Sequence, residues 1–291
     1  MMDYNQSINR VFTKKVISDL ISTGSNEVYD FVVRRFLVDS ESKTNGELIS
    51  EIYAHLGQSY RNEYYYTNTL LNKLLIGIHK VTTTTALSQI RIADHIADFV
   101  MINGDGNVYE IKSDLDNFER LTDQLYDYYK AFSLVSVIVS EHEIDHVVRV
   151  LEKLGDMGSS VGVYPFSEND TIFSKTKGRP PKRFDENLEH KCLFNLMRKS
   201  EYTALIKKHF GYVPDVAPAF YYTECLNMFC TIDILLAQQC TFVELKKRNK
   251  ITKQEFVSIP PELRSVVYFS NYSHKINEIN DFLGRTYEGG K

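Results

Sequence analysis

The sequence contains few cysteines and no long apolar run, and these absences argue against several classes of protein. Its four cysteines all lie between residues 192 and 240, and none of them forms a C-x-x-C pair. Neither a zinc ribbon nor a disulfide framework is therefore expected. No apolar run reaches the length of about 18 residues that a membrane span needs, so we expect none. The first 15 residues lack the apolar core of a signal peptide, and we expect a cytoplasmic protein.

The composition is that of an ordinary globular protein with an uneven distribution of charge. Hydrophobic residues make up 43% and charged residues 25% of the 291 positions, which allows one large domain or two smaller ones. Residues 1–172 hold 15 Lys and Arg against 25 Asp and Glu, a net charge of −10, whereas residues 173–291 hold 19 against 13, a net charge of +6. A basic second half is compatible with nucleic-acid binding, and chance asymmetry of a solvated surface is the alternative.

The most informative segment is residues 97–112, ADFVMINGDGNVYEIK, in which β-prone residues alternate on either side of a glycine-rich turn. The pattern predicts a β-hairpin with its turn at 103–107. In this register Asp98 lies opposite Lys112. Because successive side chains of a strand alternate between faces, Glu110 shares their face.

Two carboxylates and a lysine on one face of a hydrophobic strand pair indicate a candidate site. Carboxylate oxygens suit a hard divalent cation, and a lysine beside that cation could polarise a water molecule or a phosphate. The alternative is a cluster of opposite charges that stabilises the hairpin modestly across its strands.

The elements around the hairpin follow a recognisable order. Periodicity and composition predict a helix at 62–78, at least one strand in 80–93, a helix at 115–132, a strand at 134–140, a helix at 142–154 and a strand at 161–166. Together with the hairpin, this is the α-β-β-β-α-β core of the restriction-endonuclease-like fold. We predict an α/β protein with this core, preceded by N-terminal helices at 7–22 and 26–38 and followed by a C-terminal helical domain.

The hairpin residues also resemble the signature of a known superfamily. Asp98, followed after an interval of eleven residues by the run E-I-K at 110–112, resembles the PD-(D/E)xK nucleases, although Ala97 stands where a proline is usual. Gln124 and Tyr128 match the Q-x-x-x-Y element of the RecB-like branch. The resemblance covers roughly residues 1–170 and is closest to a bacterial family of uncharacterised nuclease-like proteins.

The resemblance implies a nuclease that depends on Mg²⁺ or Mn²⁺. Asp98 and Glu110 would hold the ion, with the main-chain carbonyl of Ile111 as a further ligand, and Lys112 would act on the phosphate. Many members of the superfamily supply another carboxylate from the helix before the sheet, and Glu63 is the candidate for that role here. The alternative for Glu63 is a favourable interaction with the helix dipole.

Two helical residues and a basic segment complete the predicted site. Gln124 and Tyr128, on the helix after the hairpin, would reach either the DNA or the surroundings of the metal. The segment 177–183, KGRPPKR, resembles an AT-hook, which inserts arginine into a narrow minor groove; a stiff basic linker is the alternative. The predicted nucleic-acid contacts are Arg120, Lys177, Arg179, Lys182 and Arg183.

A second D…ExK spacing occurs at Asp233, Glu244 and Lys246. No turn separates its two parts, and the apolar residues between them predict a single helix. On a helix Glu244 and Lys246 would point about 200° apart, so we exclude this set as a site.

The predicted organisation is a nuclease-like domain at 1–170 with its core at about 60–167, a basic linker at 171–187, and a helical domain at 188–291. We expect a metal-dependent deoxyribonuclease that acts in defence against foreign DNA or in repair, with DNA favoured over RNA. Two alternatives are a non-catalytic protein that binds nucleic acid or a partner, and a toxin-like effector nuclease. A homodimer is left open.

Overall fold

The computed structural model describes residues 4–59, 61–78, 81–113, 116–167, 169–173, 178–248 and 251–289. The chain divides into two compact units. Unit 1 comprises Met1–Thr82 and Ile251–Lys291, and unit 2 comprises Thr83–Lys250. This division differs from the predicted one, in which a linker at 171–187 preceded a separate helical domain.

The first segment of unit 1 is helical. Its elements are α1 (Tyr4–Val11), α2 (Lys14–Thr23), α3 (Glu27–Phe36), α4 (Asn45–Ser59) and α5 (Glu63–Asn72), the last followed by a π-helical turn at Lys73–Ile78. The single helix predicted at 7–22 is divided into α1 and α2. The division occurs because the Thr13 hydroxyl accepts a hydrogen bond from the main-chain N–H of Val16 and thereby begins a new helix.

Unit 2 is built on a mixed sheet whose described strands are β1 (Thr85–Ile92), β2 (His95–Asn103), β3 (Asp105–Lys112), β4 (Leu134–Ser140) and β5 (Gly162–Phe166). The strands lie in the order β1-β2-β3-β4-β5. Strand β2 pairs antiparallel with both β1 and β3, whereas β4 pairs parallel with both β3 and β5. The protein therefore has a mixed α/β architecture.

The hairpin of β2 and β3 is present, but its predicted register was wrong by two residues. Only Gly104 separates the two strands, and its positive φ of 82° permits the tight turn. A shift of two residues leaves every side chain on its predicted face. Continuation of the observed register brings Glu110, instead of Lys112, opposite Asp98.

The helices of unit 2 are α6 (Leu121–Tyr129), α7 (Ile144–Glu152), α8 (Gly155–Ser160), α9 (His190–Asn195), α10 (Lys199–Phe210), α11 (Tyr221–Phe229) and α12 (Ile234–Lys246). Helix α6 begins later than the predicted residue 115. The Asp116 carboxylate accepts hydrogen bonds from the N–H and hydroxyl of Ser113, and the Asn117 side chain accepts one from the N–H of Glu119. These local bonds compete with the helix.

The chain after β5 packs onto the same core as the sheet. Arg179 exchanges two main-chain hydrogen bonds of 2.9 Å with Val163 of β5, so this part of the predicted linker lies along the sheet. Farther on, the Phe242 ring of α12 stacks on Phe132 with ring centroids 5.2 Å apart, and Gln238 donates to the carbonyl of Ala131. These contacts explain why the helices at 190–246 belong to unit 2.

Unit 1 is completed by α13 (Lys253–Ser258), α14 (Arg264–Phe269) and α15 (Ile276–Gly284). The Asn45 amide donates to the carbonyl of Arg285 at 3.1 Å, and the Asn68 side-chain oxygen accepts from the N–H of Ser265 at 2.9 Å. None of the described helices combines the length and the apolar character that a membrane span requires.

Replacing Gly106 by alanine should destabilise unit 2. A Cβ at this position would lie 2.7 Å from Phe242 Cζ and 2.8 Å from Phe132 Cδ1, closer than carbon atoms pack. We expect Gly106→Ala to lower the free energy of unfolding by about 1–3 kcal/mol, measured by urea unfolding.

Gly77→Ala is the matched control, because a Cβ there has nothing within 4 Å. It should cause no comparable loss. A Gly106→Ala protein as stable as the wild type would contradict the packing of α12 against the hairpin.

Candidate active site

Five residues predicted from the sequence come together in unit 2. Asp98 lies on β2, Glu110 and Lys112 lie on β3, and Gln124 and Tyr128 lie on α6. Apolar side chains of α6 pack with those of β2 and β3 in one buried cluster, so the helix covers the face of the hairpin that carries the charges.

Glu110 is at the centre of this arrangement and is only 1% exposed. Its Oε1 lies 2.9 Å from Lys112 Nζ, and its Oε2 accepts a hydrogen bond of 2.6 Å from the Tyr128 hydroxyl. A buried carboxylate is tolerated only when it is paired and hydrogen-bonded, and here each oxygen has a partner.

Lys112 and Asp98 extend the network to the helix and to the main chain. The Lys112 ammonium group donates to Gln124 Oε1 at 2.9 Å, so it is held between an amide and the carboxylate of Glu110. Asp98, which is half-buried, accepts a hydrogen bond of 2.9 Å from the main-chain N–H of Ile111. The Asp98 side chain therefore adds a hydrogen bond between β2 and β3 at the site, beyond the main-chain hydrogen bonds that pair the two strands.

Tyr128 fixes Glu110 from the helix. Its hydroxyl also lies 3.0 Å from the carbonyl of Ile96, but the shorter contact with a charged acceptor is the stronger one. Burial, followed by the negative charge of Glu110, raises the pKa of the Tyr128 phenol well above its ordinary value of 10.0. The phenol therefore remains a proton donor to Glu110 throughout the neutral range.

The neighbouring residue Asp127 forms a second polar cluster that the sequence analysis did not single out. Its carboxylate lies 2.7 Å from His95 Nδ1 and 2.7 Å from Lys130 Nζ. Burial alone would raise the pKa of the Asp127 carboxyl, but hydrogen bonds from Lys130, His95 and the Asp94 main chain outweigh it and lower the pKa. The cluster connects the start of β2 to α6. In the sequence, the spacing of three residues between Asp127 and Lys130 was the one sign of this ion pair.

The donor chemistry of the site fits a hard divalent cation that keeps part of its coordination open. The described residues include no group of three His, Cys, Asp or Glu side chains that could hold a metal ion. Asp98 and Glu110 supply two carboxylates, and Mg²⁺ is commonly held by one or two carboxylates together with water and substrate phosphates. By their chemistry these two residues could hold Mg²⁺ or Mn²⁺, and the main-chain carbonyl of Ile111 as a further ligand stays a prediction.

Glu63 belongs to unit 1, whereas the site described above consists of residues of unit 2. Asn62 precedes it as the N-terminal cap of α5, and its side chain accepts from the N–H of Tyr65. Glu63 is thus in the first turn of the helix, as predicted, and its role as a metal ligand stays a prediction.

The residues predicted to contact nucleic acid have different surroundings. Arg120 is exposed just before α6, and Lys182 is exposed on the segment beside β5. The Arg179 guanidinium donates to the carbonyls of Val161 and Gly158. Arg183 forms ion pairs with Asp105 and Asp185, while Lys177 lies outside the described residues.

The second D…ExK spacing has the structure predicted for it. Asp233 caps α12 by accepting from the N–H groups of Leu235 and Leu236, and Glu244 and Lys246 lie on that one helix. Glu244 is buried and pairs with Lys247.

Comparisons with known proteins identify one family. A family model described as Bacteriophage P4 protein cII matches residues 57–265, which is more than half of the chain and includes every residue of the site. Searches of curated proteins and of solved structures gave no significant match.

The raised pKa of Tyr128 predicts a loss of stability at alkaline pH. In the unfolded chain the phenol ionises near pH 10, whereas in the folded protein it stays protonated, so its contribution is complete below pH 10 and declines as the pH rises further. We expect the free energy of unfolding to fall above pH 10, and to fall less steeply in Tyr128→Phe.

Tyr126→Phe, which removes an exposed phenol from the same helix, is the matched control and should retain the wild-type decline. Identical alkaline profiles for the wild type and Tyr128→Phe would contradict the assigned environment of the phenol.

Proposed function

We propose that this chain, which belongs to the family of bacteriophage P4 protein cII, is a divalent-metal-dependent nuclease that hydrolyses phosphodiester bonds of DNA. The observation that carries the proposal is the convergence of Asp98, Glu110 and Lys112 on one face of the β2–β3 hairpin. The Q-x-x-x-Y pair of α6 supports it, since both of its residues bond directly to members of this set.

The order and direction of the elements support a restriction-endonuclease-like core. An α-helix precedes three antiparallel strands, α6 follows them, and β4 then returns parallel to β3. The proposed assignment places the acidic residues of the site on the second and third strands of the sheet.

Asp98 and Glu110 would hold Mg²⁺ or Mn²⁺, together with the carbonyl of Ile111. Such an ion, when bound, neutralises the negative charge of the phosphate and lowers the pKa of an attacking water. Both carboxylates are in place before any ion binds: Asp98 is oriented by the main-chain N–H of Ile111, and Glu110 by the Tyr128 hydroxyl.

Lys112 would stabilise the charge that develops on the phosphate oxygens. Its ammonium group carries three hydrogens, and the contacts with Glu110 and Gln124 direct two of them. We assign the third to a phosphate oxygen of the substrate. Gln124 therefore positions the lysine from the helix, just as Tyr128 positions the glutamate.

Exposed cations would supply the phosphate contacts outside the site. Arg120 and Lys182 are exposed in the structure, and Lys177, Arg179 and Arg183 remain proposed contacts. Defence against foreign DNA, repair of DNA and the action of a toxin-like effector all require the same chemistry. We expect DNA as the substrate and favour it over RNA.

Cleavage of a mixed nucleic-acid panel tests the proposed function. We expect the wild type to cut at least one of linear duplex, single-stranded, branched or circular DNA with Mg²⁺ or Mn²⁺, and none in chelator; an RNA strand tests the choice of substrate. Asp98→Asn should reduce the rate of DNA cleavage by more than roughly 100-fold. Loss of a residue that only hydrogen-bonds a metal ligand typically costs about 10- to 100-fold, and loss of a ligand itself should cost more.

Asp145→Asn is the matched control, because Asp145 is an exposed aspartate on α7 of the same unit and has no role in the proposed site. It should cut at the wild-type rate. Absence of cutting on every substrate would favour a non-catalytic binding protein, and cutting that survives in Asp98→Asn would remove this residue from the mechanism.

Lys112→Ala should abolish cleavage and make stability depend on the metal. The substitution leaves the buried carboxylate of Glu110 without its cation, so we expect the free energy of unfolding to fall by about 3 kcal/mol in chelator. Mg²⁺ or Mn²⁺ should restore part of this loss, because a divalent ion bound at Glu110 replaces the missing positive charge.

Lys130→Ala is the matched control, since it removes another lysine of unit 2 from an ion pair, the one with Asp127 at the end of α6. Its stability should not respond to the metal. A Lys112→Ala protein whose stability is the same with and without divalent ions would count against a cation site at Glu110.

A further inference from the structure

A groove on the surface of unit 2 lies between α10 and α12 and contains none of the residues of the candidate active site. It encloses a cavity of about 270 Å³. The buried Leu205 of α10 lines it together with Leu236, Cys240 and Val243 of α12. Leu236 and Val243 are 43% and 47% exposed, so apolar side chains of this cavity are open to solvent. We call this space the α10–α12 groove.

The two helices of the groove pack antiparallel. Arg248, just after the end of α12, donates to Glu201 in the first turn of α10 at 2.7 Å, whereas Leu236 near the start of α12 and His209 near the end of α10 line the groove together. The α12 residues at 236, 240 and 243 are four and three positions apart, so they share one face of that helix. The groove therefore follows about two turns of α12, or roughly 10 Å.

The charge that the groove offers to a ligand is positive. Lys208 lines it, and among the described residues no ion pair involves this lysine. The acidic residue of the lining, Glu244, is buried, and its two oxygens lie 2.5 and 2.6 Å from Lys247 Nζ. Burial raises the pKa of the Cys240 thiol, and the charge of Lys208 opposes that shift. The ammonium group therefore acts within electrostatic range of the apolar lining.

Aliphatic side chains with an unpaired cation beside them fit a ligand that has an alkyl chain and one negative charge. Ligand pockets are mostly apolar, with a few polar groups that fix the orientation of the ligand, and their volumes begin at about 300 Å³. The α10–α12 groove is close to that lower limit, so it suits a small molecule. Its lining holds no Phe, Tyr or Trp on which a nucleobase could stack, and no arginine to bind a phosphate bidentately.

We propose that the α10–α12 groove binds a small aliphatic carboxylate. The carboxylate pairs with Lys208, and the alkyl chain lies against Leu205, Leu236 and Val243. An uncharged apolar ligand would leave the ammonium group of Lys208 uncompensated, and a purely ionic one would leave the leucines and the valine exposed. This binding requires neither a metal nor any residue of the candidate active site, so it is independent of the proposed nuclease activity.

Alkylation of Cys240 by N-ethylmaleimide in the full chain measures occupancy of the groove, because Cys240 lines it. Octanoate at about ten times its Kd should slow this reaction by about tenfold, since about nine-tenths of the grooves are then occupied. Cys230, which is exposed, is the internal control and should react at an unchanged rate. Mass spectrometry of the peptides follows the two cysteines separately.

Lys208→Gln tests the contact with the carboxylate, with the Kd taken from the dependence of the Cys240 rate on octanoate concentration. The substitution should weaken octanoate binding by about fivefold, the upper value for an ion pair at an exposed site. Binding of octanamide, which has no charge, should stay the same. Lys207→Gln is the matched control, because it removes an exposed lysine that does not line the groove.

Leu236→Ala tests the contact with the alkyl chain. It should weaken octanoate binding by at least about fourfold, the value of one buried methylene. Leu235→Ala is the matched control, because Leu235 is an exposed leucine of the same helix turn that does not line the groove. Because both leucines are exposed, neither substitution removes core packing.

A Cys240 rate that no carboxylate from hexanoate to decanoate changes would overturn the proposed site and would leave the groove to a helix of a protein partner. Equal affinities of Lys208→Gln and Lys207→Gln would overturn it too, because the ligand would then not be recognised by its charge. Affinity should also level off once the alkyl chain is longer than the groove. A continued rise up to decanoate with no slowing at Cys240 would indicate adsorption elsewhere on the surface and would refute the site.

Discussion

The burial of one carboxylate constrains the architecture of unit 2. Glu110 lies on a strand with neighbours on both sides, out of contact with water, where an unpaired negative charge would be very costly. Lys112 meets one of its oxygens and Tyr128 meets the other. Lys112 is close to Glu110 because the two residues lie two positions apart on the same face of β3. Tyr128 reaches Glu110 only if α6 lies over the hairpin at one particular rotation about its axis.

Helix α6 thereby joins the packing of the core to the geometry of the site. Its apolar residues are buried with those of the sheet, whereas Gln124 and Tyr128 reach the charged pair and Asp127 holds the start of β2. A small rotation of the helix would disturb all three sets of contacts together. The orientation of the functional side chains is therefore stabilised by hydrophobic burial spread over the whole helix, which is a larger free energy than any one hydrogen bond provides.

Sequence reasoning succeeded where a local pattern is strong and failed where distant contacts decide. Alternation gave the hairpin and the correct face for Asp98 and Glu110, because a strand has a period of two. Alternation could not give the register of the hairpin. The predicted turn at 103–107 and the observed turn at Gly104 place the same side chains on each face, so the pattern fits both. Nor could it reveal that α12 packs on the sheet, because the pairing of Phe132 with Phe242 joins positions far apart in the chain.

The position of unit 2 within the sequence has a consequence for the order in which the chain folds. Unit 1 is composed of two segments that flank unit 2, and buried hydrogen bonds of Asn45 and Asn68 require residues of the later segment. During synthesis the sheet can therefore assemble as soon as residue 250 leaves the ribosome, while the helices that precede it still lack their partners. Throughout that interval α4 and α5 lack the later helices that pack on them, so their apolar surfaces are exposed and the first segment is prone to aggregation.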